Sequence, residues 1–291
     1  MVIEQPPPPS LGSEENLKLS SREISRSLLD WLLGFPGGFI ATFIISLPFV
    51  IIWAALDPNI DFVDLADSTP IGVLALGLII QQGTQLAIAL LVQAKGFGLV
   101  KELRDWKFRI EAKDVFYGLV ALPVLFIAGS AATFSVMFLL GVEESQSNTA
   151  VISDNSGSPW IIVIVFAAVI GAPIAEEVVF RGVSLRIFAG IGASMTNSKL
   201  GGSIIGIAIS SIMFGLVHFP DGDSGFSEYM VVAITLGTIG AILAIMAVYF
   251  DRLGPSIWAH VFFNVVGVSA ALGVFDGVQE DLEAAMSLGI W

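Results

Sequence analysis

Seven long apolar runs dominate the chain: Leu32 to Leu56, Pro70 to Gln93, Val115 to Val142, Trp160 to Phe188, Gly202 to Phe219, Tyr229 to Phe250 and Ser256 to Phe275. Each approaches or exceeds the roughly 20 residues that an α-helix needs to cross the hydrocarbon core of a bilayer. Apolar residues occupy all sides of these runs, as expected of helices that face lipid or other helices rather than water. The pattern predicts an all-α, polytopic membrane helix bundle of about seven spans, with no internal repeat and no soluble domain. Residues 1–31 are polar and contain Pro6 to Pro9. They read as a disordered cytoplasmic tail rather than a signal peptide. Residues 32–275 then form one transmembrane domain, and 276–291 an acidic tail.

Composition agrees with this class. Hydrophobic residues make up 55% of the 291 and charged residues 13%, against about 25% charged in soluble domains, and mean hydropathy is +0.85. The thirteen basic residues fall on one side of the predicted topology: Lys18, Arg22 and Arg26, six from Lys95 to Lys113, then Arg181, Arg186, Lys199 and Arg252. Cytoplasmic loops collect Lys and Arg, so the N-terminus is expected inside a multi-pass protein of the cell membrane. The opposite side carries acids only, and the net charge of −13 argues against nucleic acid as a partner. The basic stretch Lys95 to Asp114, interleaved with Leu99, Trp106 and Phe108, reads as an interfacial anchor on anionic lipid. With no cysteine in the chain, disulfides and thiolate metal sites are excluded.

The fourth run holds the anomaly. Glu176, Glu177 and Arg181 lie within six residues of an otherwise apolar span, where each ionisable side chain costs about 2.5–3.5 kcal/mol at the bilayer centre. Glu177 and Arg181 are four apart and share a helix face, whereas Glu176 points elsewhere and is left unpaired. Pro173, two residues after Gly171, is expected to divide the span and leave Glu176 in the first turn of a second half-helix, whose positive end favours a carboxylate. A structural ion-pair network locking two helices accounts for the same charges.

Further polar groups sit in later spans. His218 follows Phe214 by four residues, and His260 precedes Asn264 by four, so each pair shares a face. Singly, such residues serve as interhelical hydrogen-bonding groups. Together, a free carboxylate, two histidines and an amide supply a general base, a proton partner and hydrogen-bond donors. Gln81, Gln82, Thr84 and Gln85 of the second span either line the same cavity or bind helices together.

The order Glu-Glu-x-x-x-Arg (Glu176 to Arg181), Phe-x-x-x-His (Phe214 to His218) and His-x-x-x-Asn (His260 to Asn264) resembles the CPBP family (CAAX prenyl endopeptidase and bacteriocin-processing, or Abi, intramembrane proteases). The resemblance covers roughly residues 159–268. It implies a hydrolase, an endopeptidase whose active site lies within the membrane. In that family Glu176 and His218 would activate a water, while His260 and Asn264 would stabilise the oxyanion. Glu177, Arg181 and Phe214 then support the site. Partly desolvated carboxylates suit general-base work near neutral pH, and donors one turn apart on a rigid helix suit an oxyanion.

Metal dependence stays open at this stage. Glu176, His218 and His260 are three candidate zinc ligands, but no His-Glu-x-x-His pair is present, and the reading favours no cofactor. The partner is a peptide or protein substrate at or in the bilayer, lipidated or not. Eukaryotic relatives remove three residues after a prenylated cysteine; prokaryotic ones are associated with peptide maturation, bacteriocin immunity or membrane-protein processing. A proton-coupled membrane transporter and a non-catalytic membrane scaffold are the alternatives. Counting spans also places His218 and His260 at opposite membrane faces. They meet only if the segment from Pro220 to Ser227 dips into the bundle or the helices are short and tilted.

Overall fold

The computed structural model describes residues 18–56, 70–95, 108–143, 150–218 and 225–276. Among them every regular element is helical: α1 (Ser21–Gly34), α2 (Pro36–Leu56), α3 (Ile71–Lys95), α4 (Ala112–Leu140), the short α5 (Ala150–Asp154), α6 (Ile161–Thr196), α7 (Lys199–Leu216), α8 (Phe226–Tyr249) and α9 (Gly254–Ala271). The spans Ser21–Trp53, Ile71–Val92, Ala112–Leu140, Ile161–Thr196, Lys199–Leu216 and Phe226–Tyr249 are six that are long and apolar enough to cross a membrane. The predicted seventh is α9, which contains His260 and Asn264 and whose first half is buried among other helices. The chain is an all-α, multi-pass membrane protein.

The sequence misplaces the first helix. The expected disordered tail ran through residue 31, yet α1 begins at Ser21 with a capping box: Ser20 Oγ accepts from Glu23 N–H at 3.3 Å and Glu23 Oε2 from Ser20 N–H at 2.7 Å. Residues 1–17 lie outside the described part. Helix α1 is inverted in polarity. Ser27 and Asp30 are buried, whereas Leu28, Leu29, Leu32 and Leu33 are exposed, as expected where the outer medium is lipid. It lies along α6, with Leu19 N–H donating to Ser194 Oγ at 2.8 Å and Trp31 edge-on to Phe188 at 5.3 Å.

Small residues let the later helices approach closely. A Cβ at Gly202 or Gly206 of α7 would strike Ala189, Ala193 or the Leu185 carbonyl of α6, and one at Gly215 would strike the Ala233 carbonyl of α8. This is the packing expected where lipid removes the hydrophobic drive between helices and van der Waals contact must replace it. Ser198 caps α7 through Gly201 N–H at 3.2 Å. Asn197 makes the tight α6–α7 turn in the left-handed region, φ 51°, which Asn tolerates better than most residues.

The helices are staggered, which removes the obstacle posed by counting spans. Gly240 of α8 lies against Phe214 of α7, and Arg181 of α6 donates to the Gly240 carbonyl at 2.9 Å, so the three share a level. From there α8 runs nine residues to Tyr249, whereas α7 reaches back fifteen to Lys199. At 1.5 Å per residue the α6–α7 turn projects about 9 Å further. Helix α9 starts from the nearer turn and reaches the shared level at His260, six residues after Gly254. Short, offset helices therefore bring the histidines together. Most of the segment from Pro220 to Ser227 lies outside the described residues, as do the centre of the Lys95–Asp114 stretch and the tail beyond Asp276.

A buried carboxylate fixes the α8–α9 turn. Asp114, in the first turn of α4, is fully buried and accepts from Arg252 Nη2 at 2.6 Å, Arg252 Nε at 3.1 Å and Glu111 N–H at 2.8 Å. Gly254 has no room for a Cβ beside this carboxylate. Breaking a mostly buried charged pair on one side strands the other partner. Asp114→Ala is expected to lower stability by on the order of 2 kcal/mol, measured by thermal unfolding in detergent. Arg109→Ala, at a side chain 75% exposed that pairs with Glu111, should leave the transition unchanged. Equal transitions for both variants would refute the role given to Asp114.

Candidate active site

Helix α6 is continuous but not uniform. Ala167–Gly171 and Glu177–Ser184 are π-helical, flanking an α-helical turn at Ala172–Glu176. The expected break at Pro173 does not occur, and the half-helix argument for Glu176 falls with it. The wider π turn absorbs the proline: Ala172 N–H reaches back five residues to the Ala167 carbonyl. In this register the Ala168 carbonyl would look to residue 173, and proline has no N–H to give. Asn264 Nδ2 supplies the missing donor from α9, at 2.8 Å.

The second π segment carries the ion pair. Arg181 Nη1 stands 2.9 Å from Glu177 Oε1, with both side chains fully buried. Arg181 Nη2 donates to the Gly240 carbonyl, and the guanidinium lies 4.4 Å from the centre of the Phe214 ring. Arg181 is therefore part of the core and says nothing about loop charge. Arg186 likewise lies inside α6 rather than in a loop. The predicted pairing of Glu177 with Arg181 is present. Ser210 Oγ donates to the Phe180 carbonyl at 2.9 Å and Ser184 Oγ to the Val179 carbonyl at 3.1 Å, so side chains satisfy backbone oxygens of the widened turn.

Glu176 points to the other side of the pair and meets both histidines. Its Oε2 lies 3.6 Å from His260 Nε2 and 3.9 Å from His218 Nε2. The other ring nitrogens are occupied: His260 Nδ1 stands 3.2 Å from Glu177 Oε1, and His218 Nδ1 bonds the Phe214 carbonyl. A carbonyl only accepts, so His218 carries its proton on Nδ1 and turns a lone pair on Nε2 toward Glu176 in the neutral ring. Phe214 packs against both imidazoles, at 4.7 Å from His218 and 5.7 Å from His260. The side chains of Glu176 and His218 are 21% and 20% exposed, and that of His260 is 6% exposed. Glu176 and His218 thus form the open side of the cluster.

Six of the seven motif residues, Glu176, Glu177, Arg181, Phe214, His218 and His260, meet at one place, whereas Asn264 is tied to the Ala168 carbonyl of the first π segment. Among the described residues, no three His, Cys, Asp or Glu side chains are grouped to hold a metal ion. The histidines are disposed about a carboxylate oxygen rather than about a common empty point, so no step is assigned to zinc. Gly240 escaped the sequence reading. A Cβ there would approach Phe214 at 3.0 Å and Arg181 Nη2 at 3.3 Å, and only its place between two motif residues in space, not in sequence, reveals it. Of the polar residues on α3, Gln82 reaches α6 through Nε2 to the Ala167 carbonyl at 3.1 Å. Gln85 packs on Gly38 of α2. Removing one side of the buried pair leaves the other uncompensated: Glu177→Ala is expected to destabilise by about 3–5 kcal/mol. A thermal transition in detergent equal to wild type would contradict this account of Arg181.

Comparison with known proteins adds one finding. Neither the curated proteins nor the solved structures gave a significant match. Residues 158–266 match the family model Type II CAAX prenyl endopeptidase Rce1-like, which is the family that the three motifs resemble. That segment runs from just before α6 through the first half of α9 and holds every residue of the cluster described above. Over residues 158–266, the sequence is similar to the Rce1-like family of type II CAAX prenyl endopeptidases.

Proposed function

We propose that the protein is an intramembrane endopeptidase of the CAAX type in which Glu176 and His218 activate a water. The observation that carries this is the meeting of Glu176 Oε2 with the Nε2 atoms of His218 and His260, at 3.9 and 3.6 Å, in the segment that matches the family. The Glu176–His218 separation exceeds a direct hydrogen bond but lets one water reach both groups. Such a water donates one hydrogen to the carboxylate and one to the Nε2 lone pair. Glu176 takes the proton as the hydroxide oxygen bonds to the scissile carbonyl carbon. It returns the proton to the amide nitrogen as the C–N bond breaks, leaving a free carboxylate and a free amine.

His260 and Asn264 serve the tetrahedral oxyanion in this reading. His260 Nε2 donates when the ring carries both protons, with Nδ1–H directed to Glu177. Asn264 keeps one amide N–H after using the other on Ala168. Glu177 and Arg181 hold His260 and the helix in place. The substrate is a peptide at the bilayer, lipidated or not, the N-terminus is cytoplasmic, and residues 21–275 act as one membrane domain.

The test is cleavage of a peptide panel, with and without prenyl groups, by purified protein in detergent or lipid. Glu176→Gln should lower kcat by about 10²–10⁴-fold, the range of a general base, and wild-type cleavage should survive a chelator. Full-rate cleavage by Glu176→Gln would end this mechanism.

A further inference from the structure

We infer that Gln82, on α3 and outside the family-matched segment, is a positioning residue for Glu176. The inference rests on the proposed role of Glu176 as base. Its starting point is the first π segment of α6. A π turn holds one residue more than an α turn, so everything beyond it is rotated by about 100° relative to an uninterrupted α-helix. The direction of Glu176, five residues after Gly171, depends on that extra residue being kept.

Two side chains from different helices hold it. Gln82 Nε2 donates to the Ala167 carbonyl and Asn264 Nδ2 to the Ala168 carbonyl, at 3.1 and 2.8 Å. These consecutive carbonyls begin the widened turn. Asn264 replaces the N–H that Pro173 lacks. Gln82 adds a second donor to the oxygen that already accepts from Ala172 N–H. In α geometry the Ala167 carbonyl would accept from Gly171 N–H, and Ala172 N–H would pass to the Ala168 carbonyl, which Asn264 already serves; the Gln82 bond holds the Ala167 carbonyl in the direction that the π register gives it. Gly171 completes the arrangement. The three nearest atoms to a Cβ placed there are Gln82 Oε1, Cδ and Nε2, with Oε1 in collision. The carboxamide therefore lies in the space that this glycine leaves free. A methyl at position 171 meets a mobile side-chain end rather than backbone, so it would expel Gln82 without a clash against the fold.

The test compares Gln82→Ala, Gln82→Met, Gly171→Ala, the double variant Gln82→Ala/Gly171→Ala and Glu176→Gln on a peptide cleaved by wild type. A base turned away from its target loses kcat rather than substrate binding. Gln82→Ala and Gly171→Ala should each lower kcat by about 10- to 100-fold with KM within about twofold, and the double variant should be no slower than Gln82→Ala alone. Gln82→Met keeps the apolar stem without the donor and should match Gln82→Ala. Wild-type kcat in Gln82→Met, or multiplying losses in the double variant, would overturn the positioning role while Glu176→Gln remains inactive. Full-rate cleavage by Glu176→Gln, or no cleavage by wild type, would instead remove the protease reading and this inference with it.

Discussion

A guanidinium enclosed by protein at membrane depth organises the half of the bundle built from α6 to α9. Arg181 has no exposed surface, and its neighbours come from four helices: Glu177 on its own, Phe214 on α7, the Gly240 carbonyl on α8 and, through Glu177, His260 on α9. A charge there is tolerable only when it is paired and hydrogen-bonded. The side chain therefore dictates where the other helices stand. Gly240 leaves a Cβ little room, Phe214 presents its ring, and His260 turns Nδ1 toward Glu177 and Nε2 away from it. The outward-facing Nε2 meets Glu176, so the electrostatics that make the helix stable also shape the face on which Glu176 stands.

Adjacent glutamates consequently have opposite surroundings. Glu177 is enclosed and committed to Arg181 and His260, while Glu176 is a fifth exposed and faces two ring nitrogens. One residue of rotation separates them. The backbone that sets this rotation is unusual, with π segments on both sides of the turn that ends at Glu176. It is maintained by polar side chains arriving from α3, α7 and α9 together with Ser184 of α6.

Much of this was legible in the chain. Apolar length gave the spans, and the charged and polar residues within them gave the site, because each such residue is expensive and stands out against its surroundings. The four-residue spacing correctly paired Glu177 with Arg181. What escaped depended on contacts between distant segments. Pro173 suggested a broken helix because local rules treat a missing N–H as final, whereas Asn264, ninety-one residues later, replaces it. The histidines seemed to face opposite surfaces because counting assumes that turns lie flush, and nothing local encodes the stagger between the α6–α7 and α8–α9 turns. Helix α1 was hidden by its polarity: a stretch with Ser, Arg and Asp among leucines resembles a solvated tail until its polar stripe is seen to face protein.

The same stagger sets the depth of the cluster within the bundle. Gly240 marks the level of the cluster and lies nine residues, or about 13 Å, from the end of α8 at Tyr249. An extended chain advances about 3.3–3.6 Å per residue, so that depth equals the length of about four extended residues. The offset of two helix turns therefore fixes how far the cluster lies from the end of the bundle.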